Sequence, residues 1–224
     1  MSGQAESEPR PVAPEPEFAV TGAAHRAFAA APTMVFSTTA VDAAEHPIQT
    51  LALSVLVMID PSRRGYDEET RVRLSELFGP PASWTPSTQG LVWARVATVV
   101  PRFRGTTAFE LEIPCTYDLE IAATKYFYVL SGGDVPLSFH FSGTVFFHAP
   151  DGRLQVTPVS WSSTARFDMP VSAWRDMIAE HYPSGGWIRL GHATLAALND
   201  RRAARGLPSF DACLEELLTD VADA

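Results

Sequence analysis

The chain has 224 residues, 46% of them hydrophobic, and carries a formal net charge of −9 from 17 basic and 26 acidic side chains. That length and apolar content suffice to bury one good core, which excludes disorder of the whole chain. The negative field repels phosphate backbones and anionic lipid, which argues against nucleic acid as a partner.

Along the chain, residues 1–17 mix Pro9, Pro11, Pro14 and Pro16 with Glu6, Glu8, Glu15 and Glu17, a composition that buries nothing and predicts a disordered tail. The first residues show neither a basic nor an apolar segment of a secretory leader, so a cytoplasmic location is expected. No apolar run approaches the roughly 18 residues of a bilayer-spanning helix, so no membrane insertion is expected. Two cysteines, Cys115 and Cys213, give no reason for a disulfide framework. Residues 18–224 read as a single α+β domain, with 18–31 left open between an arm and a strand.

Strand signals start at Met34, Val35 and Phe36 and strengthen over 48–59, where Leu51, Leu53, Val55, Val57 and Ile59 share one face under period-two alternation. Pro61 ends that strand, residues 63–66 turn, and a short helix follows from about Asp67 to the Gly79-Pro80-Pro81 stop. Residues 91–100 and 106–114 read as two strands whose five-residue link suggests a hairpin. The period then lengthens, and 116–130 is predicted as an inserted helix. Alternation returns over 137–148, with Asp151-Gly152 turning the chain into a strand at 154–161. Helices are predicted over 171–182, 190–205 and 209–221. Strands first and helices later, with short links, predict an antiparallel β-sheet with an inserted helix and three C-terminal helices.

Few residues offer chemistry. Cys115 precedes the predicted helix at Thr116, where backbone N–H groups and the helix dipole lower a thiol's pKa, although Asp118 and Glu120 oppose that. His140, Ser142, Thr144 and His148 share one strand face, so a small enzyme or ligand-binding module would pair Cys115 with His140 or His148. A solvated face of an antiparallel sheet explains the same four residues. Arg63 and Arg64, beside Tyr66, are placed to grip a carboxylate or phosphate. Nearby Asp67 to Arg71 and Glu69 to Arg73 are helix-spaced ion pairs. Trp84, Trp93, Trp161, Trp174 and Trp187 are scattered and suit core or interface packing better than base stacking. No phosphate-loop, dinucleotide, zinc or serine-elbow signature occurs, so neither a cofactor nor a metal is expected.

Five separated segments occur in an order that resembles an actinobacterial domain family of unknown function. They are Ile59-Asp60-Pro61-Ser62-Arg63-Arg64-Gly65-Tyr66, Leu77-Phe78-Gly79, Pro114-Cys115-Thr116-Tyr117-Asp118-Leu119-Glu120, Phe141-Ser142-Gly143-Thr144-Val145-Phe146 and Trp187-Ile188-Arg189-Leu190. The resemblance runs from about Phe18 to Leu218. Members of that family are often encoded near uptake nickel–iron hydrogenase genes, which implies an accessory role and offers no functional residues to carry over. The expectation is a non-catalytic accessory or assembly protein that binds a protein partner, with a hydrogenase subunit or maturation factor as one candidate. Alternatives are the Cys115 enzyme and a chaperone-like binder of extended polypeptide. The oligomeric state is left open.

Overall fold

The computed structural model describes residues 13–81, 84, 90–116, 118, 121–183 and 189–222. The chain divides into two compact units, Met1–Gly185 and Gly186–Ala224.

In the first unit, β1 (Glu17–His25), β2 (Thr33–Val41) and β5 (Thr106–Pro114) form a three-stranded antiparallel sheet in the order β1-β2-β5. The second sheet is ordered β4-β3-β6-β7, from β4 (Leu91–Val100), β3 (Ile48–Ile59), β6 (Asp134–His148) and β7 (Leu154–Pro158), with β8 (Thr164–Pro170) also on β6. Among the described residues this unit has the α-helices α1 (Glu68–Phe78), α2 (Ala122–Val129) and α3 (Val171–His181). The α+β class, the antiparallel pairing, the inserted helix and three helices towards the C-terminus match the sequence reading. The single predicted sheet is in fact two.

The sheets pack face to face because their inward rows are aromatic and aliphatic. Phe36 of β2 meets Trp93 of β4, Phe139 of β6 and Phe167 of β8 edge-on at 5.8, 5.1 and 6.2 Å. Phe18 of β1 stacks on Phe141 at 4.3 Å. Such pairs add roughly 0.5–1.5 kcal/mol each beyond the area they bury. β3 lies between β4 and β6, so Leu51, Leu53, Val55, Val57 and Ile59 are all buried. Helix α2 buries Ala123, Tyr126 and Phe127, and the Phe127 ring stacks on Trp174 of α3 at 5.4 Å.

Strand β6 is long enough to hold two partners in succession. Residues Asp134 to His140 pair with β8 and Thr144 to His148 with β7. Gly143 marks the handover, with φ +139, and a Cβ there would come within 2.0 Å of the Ala52 carbonyl oxygen. Only glycine fits so close a backbone approach.

Several expectations are corrected. Strands β4 and β5 do not form a hairpin: Leu51 pairs with Val100 in one sheet, and Val41 pairs with Thr106 in the other. Residues 101–105 turn the corner between layers because Phe103 exchanges both backbone hydrogen bonds with Ile48, at 3.0 and 3.1 Å. The inserted helix begins at Ala122, not 116, because the Thr116 hydroxyl accepts from Asp118 N at 3.1 Å and holds a local turn instead. β7 ends at Pro158, and 164–170, which had no predicted element, is a strand with Ala165 and Met169 buried. Pro14 and Pro16, assigned to the tail, are buried, and β1 begins at Glu17; residues 1–12 of the predicted tail lie outside the described residues.

The second unit holds α4 (His192–Arg205) and α5 (Phe210–Ala222). Gly206, at φ +64, caps α4 in the left-handed conformation, and the Ser209 hydroxyl accepts from Ala212 N at 3.0 Å to start α5. Buried Cys213 of α5 lies with its Sγ 3.9 Å from the Leu198 carbonyl of α4, and Arg201 of α4 pairs with Glu216 and Asp220 of α5. These helices therefore make a compact hairpin of their own.

Candidate functional site

Cys115 follows β5 in the three-stranded sheet, and its Sγ lies 3.3 Å from the Ile113 carbonyl. Burial pushes the thiol up to about 12, the opposite of activation. α2 starts at Ala122, seven residues on, and its first turn reaches this segment through the Thr124 hydroxyl, which donates to the Thr116 carbonyl at 3.2 Å rather than to the thiol. His140 and Ser142 are exposed on the outer face of the five-stranded sheet, where the Ser142 hydroxyl donates to the Ser54 carbonyl at 2.9 Å; Thr144 is half-buried beside them. His148 sits at the far end of β6, its Nδ1 donating to Gly152 O at 3.1 Å. That end adjoins Pro47, Ile48 and Phe103, close to where β5 begins, whereas Cys115 lies past the other end of β5. Nine residues of strand separate them by about 30 Å. His140 lies on the opposite layer from Cys115, facing away from the core. The structure thus does not assemble the proposed Cys–His pair. Trp187 lies outside the described residues.

Arg63, Arg64 and Tyr66 do come together, around the start of β6. Arg64 donates to the carbonyls of Gly132 and Asp134, both at 2.9 Å, and its guanidinium lies 5.3 Å from the centre of the Tyr66 ring. Arg175 of α3 donates to Ser131 O at 2.9 Å and to Leu130 O, and Val171 N donates to Gly133 O at 2.9 Å. Every carbonyl from 130 to 134 therefore has a donor. The Tyr66 and Tyr126 hydroxyls hydrogen-bond at 2.7 Å, and burial raises both phenols. Arg63 bridges Asp60 and Asp168 at 3.5 Å each. This cluster ties the α2–β6 connection to the sheet, and its guanidinium donors face backbone carbonyls or, at Arg63, carboxylates rather than an open site.

Two other places present groups to the outside. At the turn between β1 and β2, Phe28 is 98% exposed with φ +57, a backbone conformation that costs a bulky side chain on the order of 1–3 kcal/mol. α3 holds the turn there. Glu180 accepts from His25 Nε2 at 2.6 Å and from Phe28 N at 3.4 Å, and the His181 ring meets Ala29 O at 3.2 Å. The Phe28 amide contact and His25 hold Glu180 below the usual carboxylate range. At the opposite end of β6, Pro47, Ile48, Gln49, Arg102, Phe103, Arg104 and His148 line a cleft of about 400 Å³. Sequence reasoning named His148 but missed the Phe28 turn and the arginines of the cleft. Phe28 falls in the alanine-rich run 18–31 left open between an arm and a strand, and Arg102-Phe103-Arg104 reads as a hairpin link, although an aromatic between two arginines already signals one buried and two outward side chains.

Among the described residues no group of three or more His, Cys, Asp or Glu side chains is placed to hold a metal ion, and no helix is long and apolar enough to cross a membrane.

The fold and its exposed groups define an α+β protein built on an antiparallel β-sandwich. The chain belongs to the family of unknown function DUF6084, whose model matches residues 13–224. No curated protein matches it. Among solved structures it is similar to a candidate ApaA protein from Bordetella pertussis, at 13% identity over 71% of this chain and 96% of that one, with a TM-score of 0.28. It is similar also to a candidate late embryogenesis abundant (LEA) protein, at 13% identity over 70% of this chain and 72% of that one, with a TM-score of 0.29. Likenesses this distant carry no argument about fold or function.

Proposed function

We infer that this chain is a non-catalytic accessory protein that binds a protein partner, with Phe28 as an anchor entering an apolar pocket on that partner. The observation that carries this reading is the β1–β2 turn: a fully exposed phenylalanine in a costly conformation, held by Glu180 and His181 of α3. A preorganised aromatic gives contact area with little ordering entropy left to lose, which is the property of interface anchors. The separation of Cys115 from both histidines, and its raised thiol, support binding over thiol chemistry. The resemblance to actinobacterial proteins encoded near uptake nickel–iron hydrogenases names a candidate partner, a hydrogenase subunit or maturation factor.

The test is gentle affinity purification from native cells with the wild-type chain and with Phe28→Ala, followed by mass spectrometry. One reproducible partner, depleted at least about tenfold by Phe28→Ala, is expected. Recovery of nothing specific, or equal recovery by both chains, contradicts the reading. A partner unrelated to hydrogenase removes only the named candidate.

A further inference from the structure

We propose that the cleft lined by Arg102, Arg104 and His148 binds the phosphate group of a small soluble molecule. Phe103 turns inward and locks its backbone to Ile48 in both directions, at 3.0 and 3.1 Å. Alternation along this extended segment then sends Arg102 and Arg104 outward on the same side, about 7 Å apart. Ile48 also pairs with Phe147 of β6, and His148 N donates to Pro47 O at 3.1 Å, so three segments are fastened side by side beneath the cleft. The arginines are therefore mounted on a hydrogen-bonded floor rather than on a free loop.

Their charge environment points the same way. The chain has 26 acidic and 17 basic residues, so acidic neighbours are plentiful. Arg26, Arg73, Arg153, Arg201 and Arg205 each sit against a carboxylate. Among the described residues neither Arg102 nor Arg104 makes an ion pair, and none of the residues lining the cleft is acidic. Of the acidic groups nearby, buried Asp42 accepts from His46 N at 2.6 Å and from its Nδ1 at 2.8 Å, Asp151 pairs with Arg153, and the exposed Glu45 carboxylate lies beside Gly105, 3.6 Å from where a Cβ would stand, without an ion pair to either arginine. Two like charges held on one side repel each other, and a doubly charged oxyanion between them relieves that repulsion with forked, charge-assisted hydrogen bonds. Gln49 and His148 line the same cleft with further polar atoms. The volume of about 400 Å³ suits a small phosphorylated molecule. The net charge of −9 favours a soluble ligand over an anionic membrane.

The test is calorimetric titration of the full chain with inorganic pyrophosphate at low ionic strength, for the wild type, the Arg102→Ala/Arg104→Ala double variant and an Arg95→Ala/Arg166→Ala control. The control removes the same charge from two exposed positions on other strands. Saturable binding that falls at least about tenfold in the cleft variant and holds in the control is expected. Absence of saturable binding overturns the proposal. So does an equal loss in both variants, which reveals general Coulomb attraction, or binding of a polyglutamate peptide without pyrophosphate. Cleft variants leave Phe28-dependent partner recovery unchanged, so the two readings fail separately.

Discussion

The two ends of β6 use arginine in opposite ways. At Asp134, Arg64 and Arg175 place their donors on the backbone carbonyls of Leu130, Ser131, Gly132 and Asp134, closing the connection from α2. At His148, Arg102 and Arg104 face an open cleft with no carboxylate or carbonyl partner among the described residues. The same side chain thus serves architecture at one end and is available at the other. What decides is the local supply of orphan carbonyls: a helix end running into a strand has several, whereas the Phe103–Ile48 bridge already satisfies its own.

Stability measurements sharpen this contrast. Arg64→Ala leaves two carbonyls without their donor and removes the contact with the Tyr66 ring, an expected loss of roughly 2–3 kcal/mol by urea unfolding. Arg175→Ala is expected to cost about 1–2 kcal/mol by the same assay. Arg102→Ala and Arg104→Ala are expected to stay within about 0.5 kcal/mol of wild type. Equal losses at both ends would erase the distinction.

Cys115 lies on the closed side of the comparison. With its thiol pushed up to about 12 by burial, alkylation by iodoacetamide should stay slow through neutral pH and still be rising above pH ~10. A rate that levels off below pH ~8.5 would show an activated thiol and revive the enzyme alternative.

The smallest expected effect concerns the Phe28 turn. Glu180 has its pKa lowered in the folded chain, so its contribution to holding the turn is present above the ordinary glutamate value near 4.5 and is lost as pH falls through the lower folded value. Amide exchange at Phe28, corrected for intrinsic pH dependence, should show protection above that range and its loss below. Protection that does not change across the range would mean that His181 and the strand register hold the turn without Glu180.

The strands were legible where burial is one-sided or complete. β3 and the β6 alternation of Phe139, Phe141, Val145 and Phe147 could be read because period two survives over many residues. What escaped depends on contacts remote in sequence. A five-residue link between strands suits a hairpin and a corner equally, and Ile48 decides it from more than fifty residues away. The start of α2 was misplaced because Thr116 competes locally for a backbone N–H, which periodicity does not register. Parity placed His140, Ser142 and Thr144 on one face correctly, yet parity carries no information on what that face meets. The Phe28 turn and the arginine cleft escaped for the same reason: each is made by segments that meet only in the fold.

The central claim is that this chain works by contact rather than by thiol chemistry. The most direct measurement is the affinity of the recovered partner for the wild-type, Phe28→Ala and Cys115→Ala chains, read by biolayer interferometry. Loss of at least about tenfold for Phe28→Ala, with Cys115→Ala equal to wild type, is the predicted result. Undiminished binding by Phe28→Ala, or loss with Cys115→Ala in a chain that remains folded, would contradict it.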